Sequence, residues 1–297
     1  MNQVNLDGLQ PWGGLAGASF DAADMVVAGI PYDGSAVYRK GAAQAPQRIR
    51  TLSAAMPPVT EDGQVLQGLR VHDMGDLNPG PTIAEGWQSV AERLSAVPVT
   101  SLLTILGGDH CTAIATIAAQ VRRHPDMQLL WVDAHPDLCD FSRGGRWTCG
   151  CAMRRALEVT AIDPARVVIA GGRDYDPEEV EFIRATGILL VSARELAADP
   201  SGSAQAISDR LAGKKVHVSF DIDALDPAFA PGTEIPSAGG MSTRQALELL
   251  GAVMSRTSPV GLDVVEVSPP FDNGDITTFA ALKLIFEFWG MSWIGKR

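Results

Sequence analysis

The sequence predicts an α/β fold, in which helices cover both faces of a mainly parallel sheet in a single three-layer α/β/α domain. Two observations lead to this prediction. Short apolar runs alternate along the chain with stretches of helical periodicity, which is typical of parallel strands joined by helical crossovers. Most of these runs are continuously apolar rather than alternating in polarity, which indicates strands that are buried on both faces.

Eight runs have the length and composition of strands. In chain order they span residues 23–33, 69–76, 99–110, 127–137, 166–174, 187–192, 214–226 and 258–270. Amphipathic patterns between them predict helices at residues 82–96, 112–123, 150–160, 177–186, 203–212, 242–255 and 276–289. No linker, charge run or repeat marks a second domain, so residues 1–297 are predicted to form one domain, with residues 1–24 as an N-terminal extension.

The composition restricts the function classes. The formal net charge of −11 argues against nucleic acid as a partner, because phosphate contacts need a basic surface, and it favours cationic small molecules. The N-terminus lacks the pattern of a signal peptide, and no run approaches the roughly 18 to 20 apolar residues of a membrane span. Four cysteines are too few for a disulfide framework. Together these features predict a cytoplasmic protein without a membrane partner.

Acidic and histidine side chains collect where three of the predicted strands end. ILGGDH, LLWVDAHPD and VSFDIDALDP contribute His110, Asp133, His135, Asp137, Asp221 and Asp223. Sites in parallel sheets form at the carboxyl ends of the strands. Residues two apart in a strand face the same side, so Asp133 is expected to point with His135, and Asp221 with Asp223. Helix or turn capping explains one such aspartate but explains the six residues together poorly.

These six residues predict a metal site. Cations compensate carboxylates on apolar strands, where an unpaired charge is costly. Four carboxylates exceed the need of one divalent ion, so two ions per chain are expected. Mixed oxygen and imidazole donors suit Mn, Ni, Co or Zn, and Mn or Ni is the expected cofactor.

The same segments resemble the ureohydrolase family of arginases, agmatinases, guanidinobutyrases and their relatives. The resemblance rests on GGDH, DAHPD, SFDIDALDPAFAPG and GLDVVEVSPPFD, extends from residue 29 to the C-terminal helix, and is nearest to the agmatinase-like branch. It implies an arginase-like fold, a trimeric or hexameric homo-oligomer and a small cationic guanidino substrate. It also implies that His110, Asp133, Asp137 and Asp223 lie at one ion or bridge the two, and that His135 and Asp221 complete the second ion. Asp133, Asp137 and Asp223 would be able to contact both ions.

The resemblance assigns roles to further residues. Asp137 would orient a nucleophilic hydroxide, formed from water between the two ions, and carry its proton to the leaving amine. Glu266 would hold the N–H groups of the substrate, since a carboxylate matches the planar guanidinium fork. Asp176 and Glu179, in GGRDYDPEE, would line the substrate pocket, and a helix N-cap ahead of Pro177 is an equally good role for Asp176.

Two segments depart from the family pattern. Agmatinase-type relatives carry HGTPFRR where this chain has CGCAMRR, so Cys149 takes the place of a histidine thought to shuttle protons or contact the substrate. The family's GTGTP reads GTEIP at residues 232–236, which brings Glu234 and Ile235 into a substrate-facing loop. All three residues are therefore predicted to contact the substrate, and Cys149 is also a candidate catalytic residue.

An intact ligand set with altered loops predicts that hydrolysis is retained and the substrate changed. The expected reaction releases urea, or a substituted urea, plus an amine or ammonia. Its expected substrate is guanidine, an alkylguanidine, a guanidino acid or a biguanide of the metformin type. One alternative is an agmatinase proper. Another is a partner subunit with little activity of its own, in a hetero-oligomer with a related chain. A deacetylase fits less well, because this chain lacks the paired histidines of that class.

Overall fold

Eight parallel strands form one sheet, and the expected arginase-like α/β/α architecture is confirmed. The computed structural model describes residues 8–80 and 83–294. The strands are β1 Met25–Gly29, β2 Val71–Asp76, β3 Leu102–Leu106, β4 Gln128–Val132, β5 Val167–Gly172, β6 Leu189–Ser192, β7 Lys215–Asp221 and β8 Ser258–Val265. Their order across the sheet is β2-β1-β3-β8-β7-β4-β5-β6. Each of the eight predicted runs therefore contains a strand.

The seven predicted helices are also present. The α-helices of the described chain are α1 Ala45–Ser53, α2 Ile83–Ser95, α3 Thr112–Arg123, α4 Ala152–Thr160, α5 Pro177–Thr186, α6 Ala193–Ala198, α7 Pro200–Leu211, α8 Thr243–Met254 and α9 Ile276–Ile294. Two of them, α1 and α6, were not expected. Both are short, with nine and six residues, so an amphipathic period is hardly visible in their sequences.

Two apolar clusters lie on opposite faces of the sheet and make up the core. Helices α2 to α5 contribute to one cluster, and α1 and α6 to α9 contribute to the other. The six inner strands are almost wholly buried between them, as their continuous apolar sequences predict, whereas the edge strands β2 and β6 are mostly half-buried. None of the helices in the described part of the chain is long and apolar enough to cross a membrane.

Part of the predicted N-terminal extension packs on the core. Residues 1–7 lie outside the described residues, whereas Trp12 is 0% exposed. Its indole Nε1 donates to Asp73 at 2.9 Å, its backbone N–H donates to Ser53, and its ring lies 5.3 Å from that of Trp289. This segment therefore joins β2, α1 and α9.

The order of the strands decides where chemistry can occur. Strands β3, β8, β7 and β4 are neighbours at the centre of the sheet, although they are far apart in sequence. Because all strands are parallel, the segments that follow these four meet at one edge of the sheet. These segments carry the residues that were singled out in the sequence.

Candidate metal centre and substrate cavity

A cavity of about 330 Å³ opens at this edge of the sheet. Most of the predicted site residues line it, namely His110, His135, Asp137, Cys149, Asp176, Glu179, Asp221, Asp223, Glu234, Ile235 and Glu266. The remaining one, Asp133, is 0% exposed and contacts two of the lining histidines. The tertiary structure thus brings together the whole predicted set.

The two predicted pairs, Asp133 with His135 and Asp221 with Asp223, converge for a different reason from the one expected. Strand β4 ends at Val132 and β7 ends at Asp221, so neither pair lies within a strand and the argument from strand alternation was wrong. Each pair instead forms a turn in which a carboxylate binds the backbone two residues on. Asp133 accepts the N–H of His135 at 2.7 Å, and Asp221 accepts the N–H of Asp223 at 2.8 Å.

Three carboxylates surround the first histidine. His110 Nδ1 lies 2.9 Å from Asp133 Oδ2, 3.0 Å from Asp221 Oδ2 and 3.3 Å from Asp137 Oδ2. None of these approaches has hydrogen-bond geometry, so this buried nitrogen has no hydrogen-bond partner among the described residues. A nitrogen lone pair and carboxylate oxygens that converge in this way resemble the ligand shell of a cation.

The second histidine has its own cluster. His135 Nδ1 lies 3.2 Å from Asp223 Oδ2 and 3.5 Å from Asp133 Oδ1. Asp133 contributes one oxygen to each cluster. Asp223 groups with His135, which its expected contact with both ions allows, whereas Asp221 groups with His110 and not with His135 as expected. Asp223 reaches the second cluster since its other oxygen accepts the backbone N–H of Ala134, beside His135.

The electrostatics of the clusters fit a pair of cations. Burial, with the charge of Asp133 second, raises the pKa of Asp137 to about 8. Burial and the charges of Asp223 and Asp133 raise the pKa of Asp221. Burial lowers the pKa of His110, but its three carboxylate neighbours outweigh this and raise it well above the usual value. Divalent ions readily displace protons from buried carboxylates that repel one another. The oxygen and imidazole donors of these clusters suit such ions.

A chain of hydrogen bonds behind His110 fixes its tautomer. Ser219 Oγ donates to Asp263 Oδ1, so it accepts from His110 Nε2–H at 3.0 Å, which leaves Nδ1 free to act as a ligand. Asp263 Oδ2 also pairs with His217 Nε2 at 2.8 Å. The sequence analysis did not identify Ser219, Asp263 or His217 as parts of the site. An aspartate inside the apolar run SPVGLDVV is the signal that was available.

Trp131 is buried and contacts both His110 and Asp133. Its ring stacks on that of His110 at 3.8 Å, with planes 5° apart. Its Nε1 donates to Asp133 Oδ2 at 2.8 Å. The indole therefore holds the imidazole plane and one carboxylate together.

Glu266 lines the same cavity as the two candidate metal-ligand clusters. Its Oε1 accepts the backbone N–H of His110 at 2.8 Å, and its buried Oε2 accepts no hydrogen bond from any described residue. Burial and the charges of Asp221 and Glu234 raise the pKa of Glu266 well above the usual value. Its φ of +63° is rare for a residue with a side chain. A strained, buried carboxylate with a free oxygen in a cavity is typical of a binding group.

Cys149 and Glu234 complete the inner wall of the cavity. With Glu266 they form a buried group whose polar atoms lie within 4.8 Å of one another. Glu234 Oε1 accepts the backbone N–H groups of Val37 and Tyr38, the latter at 2.7 Å. Its Oε2 lies 3.5 Å from Cys149 Sγ. Burial, with the charge of Glu266 second, raises the pKa of the Cys149 thiol well above the usual value, so the thiol stays neutral.

The outer wall contains the other predicted residues. Ile235 is half-buried and lines the cavity. Asp176 occupies the N-cap position of α5, which combines the two roles considered for it. Both oxygens of Glu179 accept backbone N–H groups, from Leu138 and Asp176, each at 2.8 Å. The Glu179 carboxylate therefore holds the wall in place.

An arginine that the sequence did not single out fixes the GTEIP loop. Arg39 donates from Nε and Nη2 to the carbonyl of Thr233, and from Nε to that of Glu234, at 2.8 to 3.0 Å. Its guanidinium also stacks over Phe271 at 4.3 Å. The acid that replaces the family's glycine at residue 234 is therefore held rigidly.

Comparisons with known proteins agree with this geometry. The model of the arginase family matches residues 23–290. Proclavaminate amidinohydrolase of Streptomyces clavuligerus is 35% identical over 268 residues, which cover 88% of this chain and 85% of that protein. Guanidinopropionase of Pseudomonas aeruginosa is 35% identical over 272 residues, with coverage of 87% and 83%. The solved structure of the Streptomyces enzyme has a TM-score of 0.86 and 33% identity, and the match covers 95% of this chain and 96% of that one.

The chain belongs to the arginase family, as the sequence motifs predicted. It is accordingly a hydrolase of amidino C–N bonds, an amidinohydrolase that acts on guanidino compounds.

Proposed function

We propose that this chain hydrolyses a guanidino compound other than agmatine, with two divalent ions held by His110, His135 and the four aspartates. One observation supports this most strongly. Two ligand clusters that share Asp133 face the same cavity as the unpartnered oxygen of Glu266. A guanidinium group that donates its N–H groups to this Glu266 oxygen would lie beside the two candidate metal-ligand clusters.

The reaction consumes one water and breaks one C–N bond. A protonated guanidine, R–NH–C(NH₂)₂⁺, and water give urea and R–NH₃⁺, so charge and protons balance. When bound, the two divalent ions would lower the pKa of a water and so supply the nucleophile near neutral pH. Asp137 is the proton carrier in this proposal, since it lies at the clusters and lines the cavity. It accepts a proton from the attacking water and delivers it to the leaving nitrogen.

Glu266 and Glu234 bind and orient the guanidinium. Glu266 Oε2 accepts an N–H group, which relieves the cost of its burial. Glu234 is fixed by two backbone N–H groups and presents Oε2 on the same wall. Cys149 shapes this wall as a neutral thiol against Glu234 and does not transfer protons.

The inner wall and the relatives support a substrate other than agmatine. The family's histidine is replaced by Cys149, and a glycine by Glu234, so the polar groups around the guanidinium differ from the agmatinase pattern. Two relatives at 35% identity are named for proclavaminate and guanidinopropionate rather than agmatine. Guanidine, an alkylguanidine, a guanidino acid and a metformin-type biguanide remain the substrates to test.

Urea release across a panel of guanidines tests the proposal. The purified chain is loaded with Mn or Ni and assayed with agmatine and the four substrate classes. We expect two ions per chain and faster turnover of at least one other guanidine than of agmatine. Agmatine turned over at least as fast as every other compound would refute the substrate proposal. A chain that binds no metal would instead support the partner-subunit alternative.

Three finer expectations accompany the proposal. We propose Mn or Ni as the resident metal, a trimeric or hexameric homo-oligomer as the assembly, and the cytoplasm as the compartment. Metal analysis of the purified protein, its mass in solution and cell fractionation test them in turn. Co-purification with a related chain would indicate a hetero-oligomer.

A further inference from the structure

We infer that Arg143 recognises a carboxylate on the tail of the substrate, so that this amidinohydrolase prefers an ω-guanidino acid. This inference rests on the proposed function and adds the chemical class of the substrate. Arg143 is the only lysine or arginine among the described residues that line the cavity. It belongs to the loop between the candidate metal ligands that follow β4 and helix α4.

The backbone presents Arg143 at the tip of a tight turn. Ser142 and Gly145 exchange both backbone hydrogen bonds, at 2.9 and 3.0 Å, which leaves Arg143 and Gly144 as a two-residue turn. Their φ angles are +50° and +92°. Positive φ at both positions is the pattern of a type I′ turn, in which asparagine, aspartate or glycine is preferred at the first position. An arginine there is strained, and strain retained at a cavity points to a role for the side chain.

The loop that carries the turn is held in place. The backbone N–H of Cys139 donates to Gly150 at 3.0 Å, which closes the loop. Thr148 Oγ1 donates to the carbonyl of Ser142 at 3.3 Å, next to Arg143. The position of Arg143 at the cavity therefore follows from the closed loop.

The charged side chains of the outer wall differ in whether they form hydrogen bonds within the protein. Asp174 accepts a hydrogen bond from Ser237 Oγ, and Asp176 accepts one from Cys139 Sγ at 3.3 Å. The guanidinium of Arg143, in contrast, has no hydrogen bond or ion pair with any residue in the ranges 8–80 and 83–294. Among the charged groups of this wall, Arg143 is thus the one whose side chain has no hydrogen-bond partner in the described ranges.

A substrate with a charge at each end uses both parts of the cavity. Its guanidinium meets the buried acids Glu234 and Glu266, and a terminal carboxylate meets Arg143. Arginine binds carboxylates in a bidentate manner, which orients the tail as well as attracting it. An ammonium tail, as in agmatine, meets a like charge at the same place.

A matched pair of probes tests the inference: 4-guanidinobutanoate and its neutral isostere, 4-guanidinobutanamide. For Arg143→Asn we expect the acid-to-amide ratio of kcat/KM to fall about tenfold, mainly through a higher KM for the acid. This corresponds to about 1.4 kcal/mol. Thermal stability should stay equal or rise, since asparagine suits the turn. Arg143→Glu should in addition lower the KM for agmatine.

Arg146→Asn is the control, because it removes one positive charge from the same loop. Arg146 pairs with Asp140 at 2.7 Å and does not line the cavity, so this variant should keep the wild-type ratio. Dissociation constants of both probes for chelator-treated protein give a readout that needs no hydrolysis, and there too Arg143→Asn should lower the preference for the acid. An unchanged ratio in Arg143→Asn, or an equal fall in both variants, would overturn the inference. Absence of hydrolysis with a normal binding preference would refute the proposed function alone.

Discussion

Replacing Ser219 by alanine should weaken metal binding although Ser219 is not a ligand. Its hydroxyl accepts from His110 Nε2–H and donates to Asp263, so it determines which imidazole nitrogen carries the proton. Without it, the proton on His110 can reside on Nδ1, the nitrogen that faces the aspartates. Loss of a partner behind a metal-binding histidine lowers metal affinity about 10- to 100-fold, or about 1.4 to 2.7 kcal/mol.

Ser101→Ala is a matched control for this experiment. Ser101 is also buried, and its hydroxyl donates to the carbonyl of Ala23 at 2.7 Å, within the core and outside the cavity lining. Either variant loses a buried hydrogen bond, which costs about 1 kcal/mol of unfolding free energy. Ser219→Ala loses two such bonds, with His110 Nε2 and Asp263 Oδ1, and therefore costs about 1 to 3 kcal/mol more than the control. Stability alone therefore separates the two variants only in degree.

The decisive quantity is the affinity of each variant for Mn²⁺, which competition with a chelating dye measures. We expect the affinity of Ser101→Ala to equal that of the wild type and the affinity of Ser219→Ala to fall by the stated factor. Chemical denaturation without metal reports the unfolding free energies separately. A Ser219→Ala protein that is folded and binds Mn²⁺ within twofold of wild type would refute the proposed control of the His110 tautomer.

Four further outcomes are expected. Glu266→Gln should lower kcat/KM about 100-fold or more while metal content stays unchanged, because a neutral amide cannot replace the charge-assisted hydrogen bonds; wild-type kinetics would exclude Glu266 from substrate binding. Cys149→Ser should change kcat about threefold at most and leave the pH profile unaltered, since the thiol is already neutral; a large loss would show chemical participation. Metal affinity should rise with pH towards and through about 8, because the raised pKa of Asp137 means that metal displaces a proton, and a flat titration between pH 6 and 9 would contradict this. Trp12→Ala should lower the unfolding free energy by about 3 to 5 kcal/mol in urea titrations, and a change below 1 kcal/mol would show that the N-terminal segment adds little to the core.

Local sequence patterns predicted the fold well where they were long or strongly apolar. Helix α3 was predicted with its observed bounds, Thr112–Arg123, because its apolar period covers three turns. Helix α6 was missed, since six residues contain too little of a period and its stability comes from packing against α7 and β5. Helix α9 continues to Ile294, beyond the predicted end at residue 289, because it packs on α1, α8 and β8.

The sequence predicted which residues form the candidate site better than it predicted which of them contact one another. The six metal-ligand candidates come from three segments whose residue types and positions are visible in the sequence. Asp221 was predicted for the second ion but lies against His110, whereas Asp223 beside His135 agrees with its predicted contact with both ions. The position of Asp221 depends on where β7 ends and on the turn that follows.

The sequence by itself determined the α/β class, the family and the residue types that can bind metal and guanidinium. These follow from apolar periodicity and from short motifs, which are local properties of the chain. Only the tertiary structure decided that Ser219 and Asp263, on neighbouring strands in matching register, support His110 from behind. It also decided that Arg143 faces the cavity while Arg146 pairs on the surface. Such relations depend on strand order and loop closure, which bring together residues that no local pattern connects.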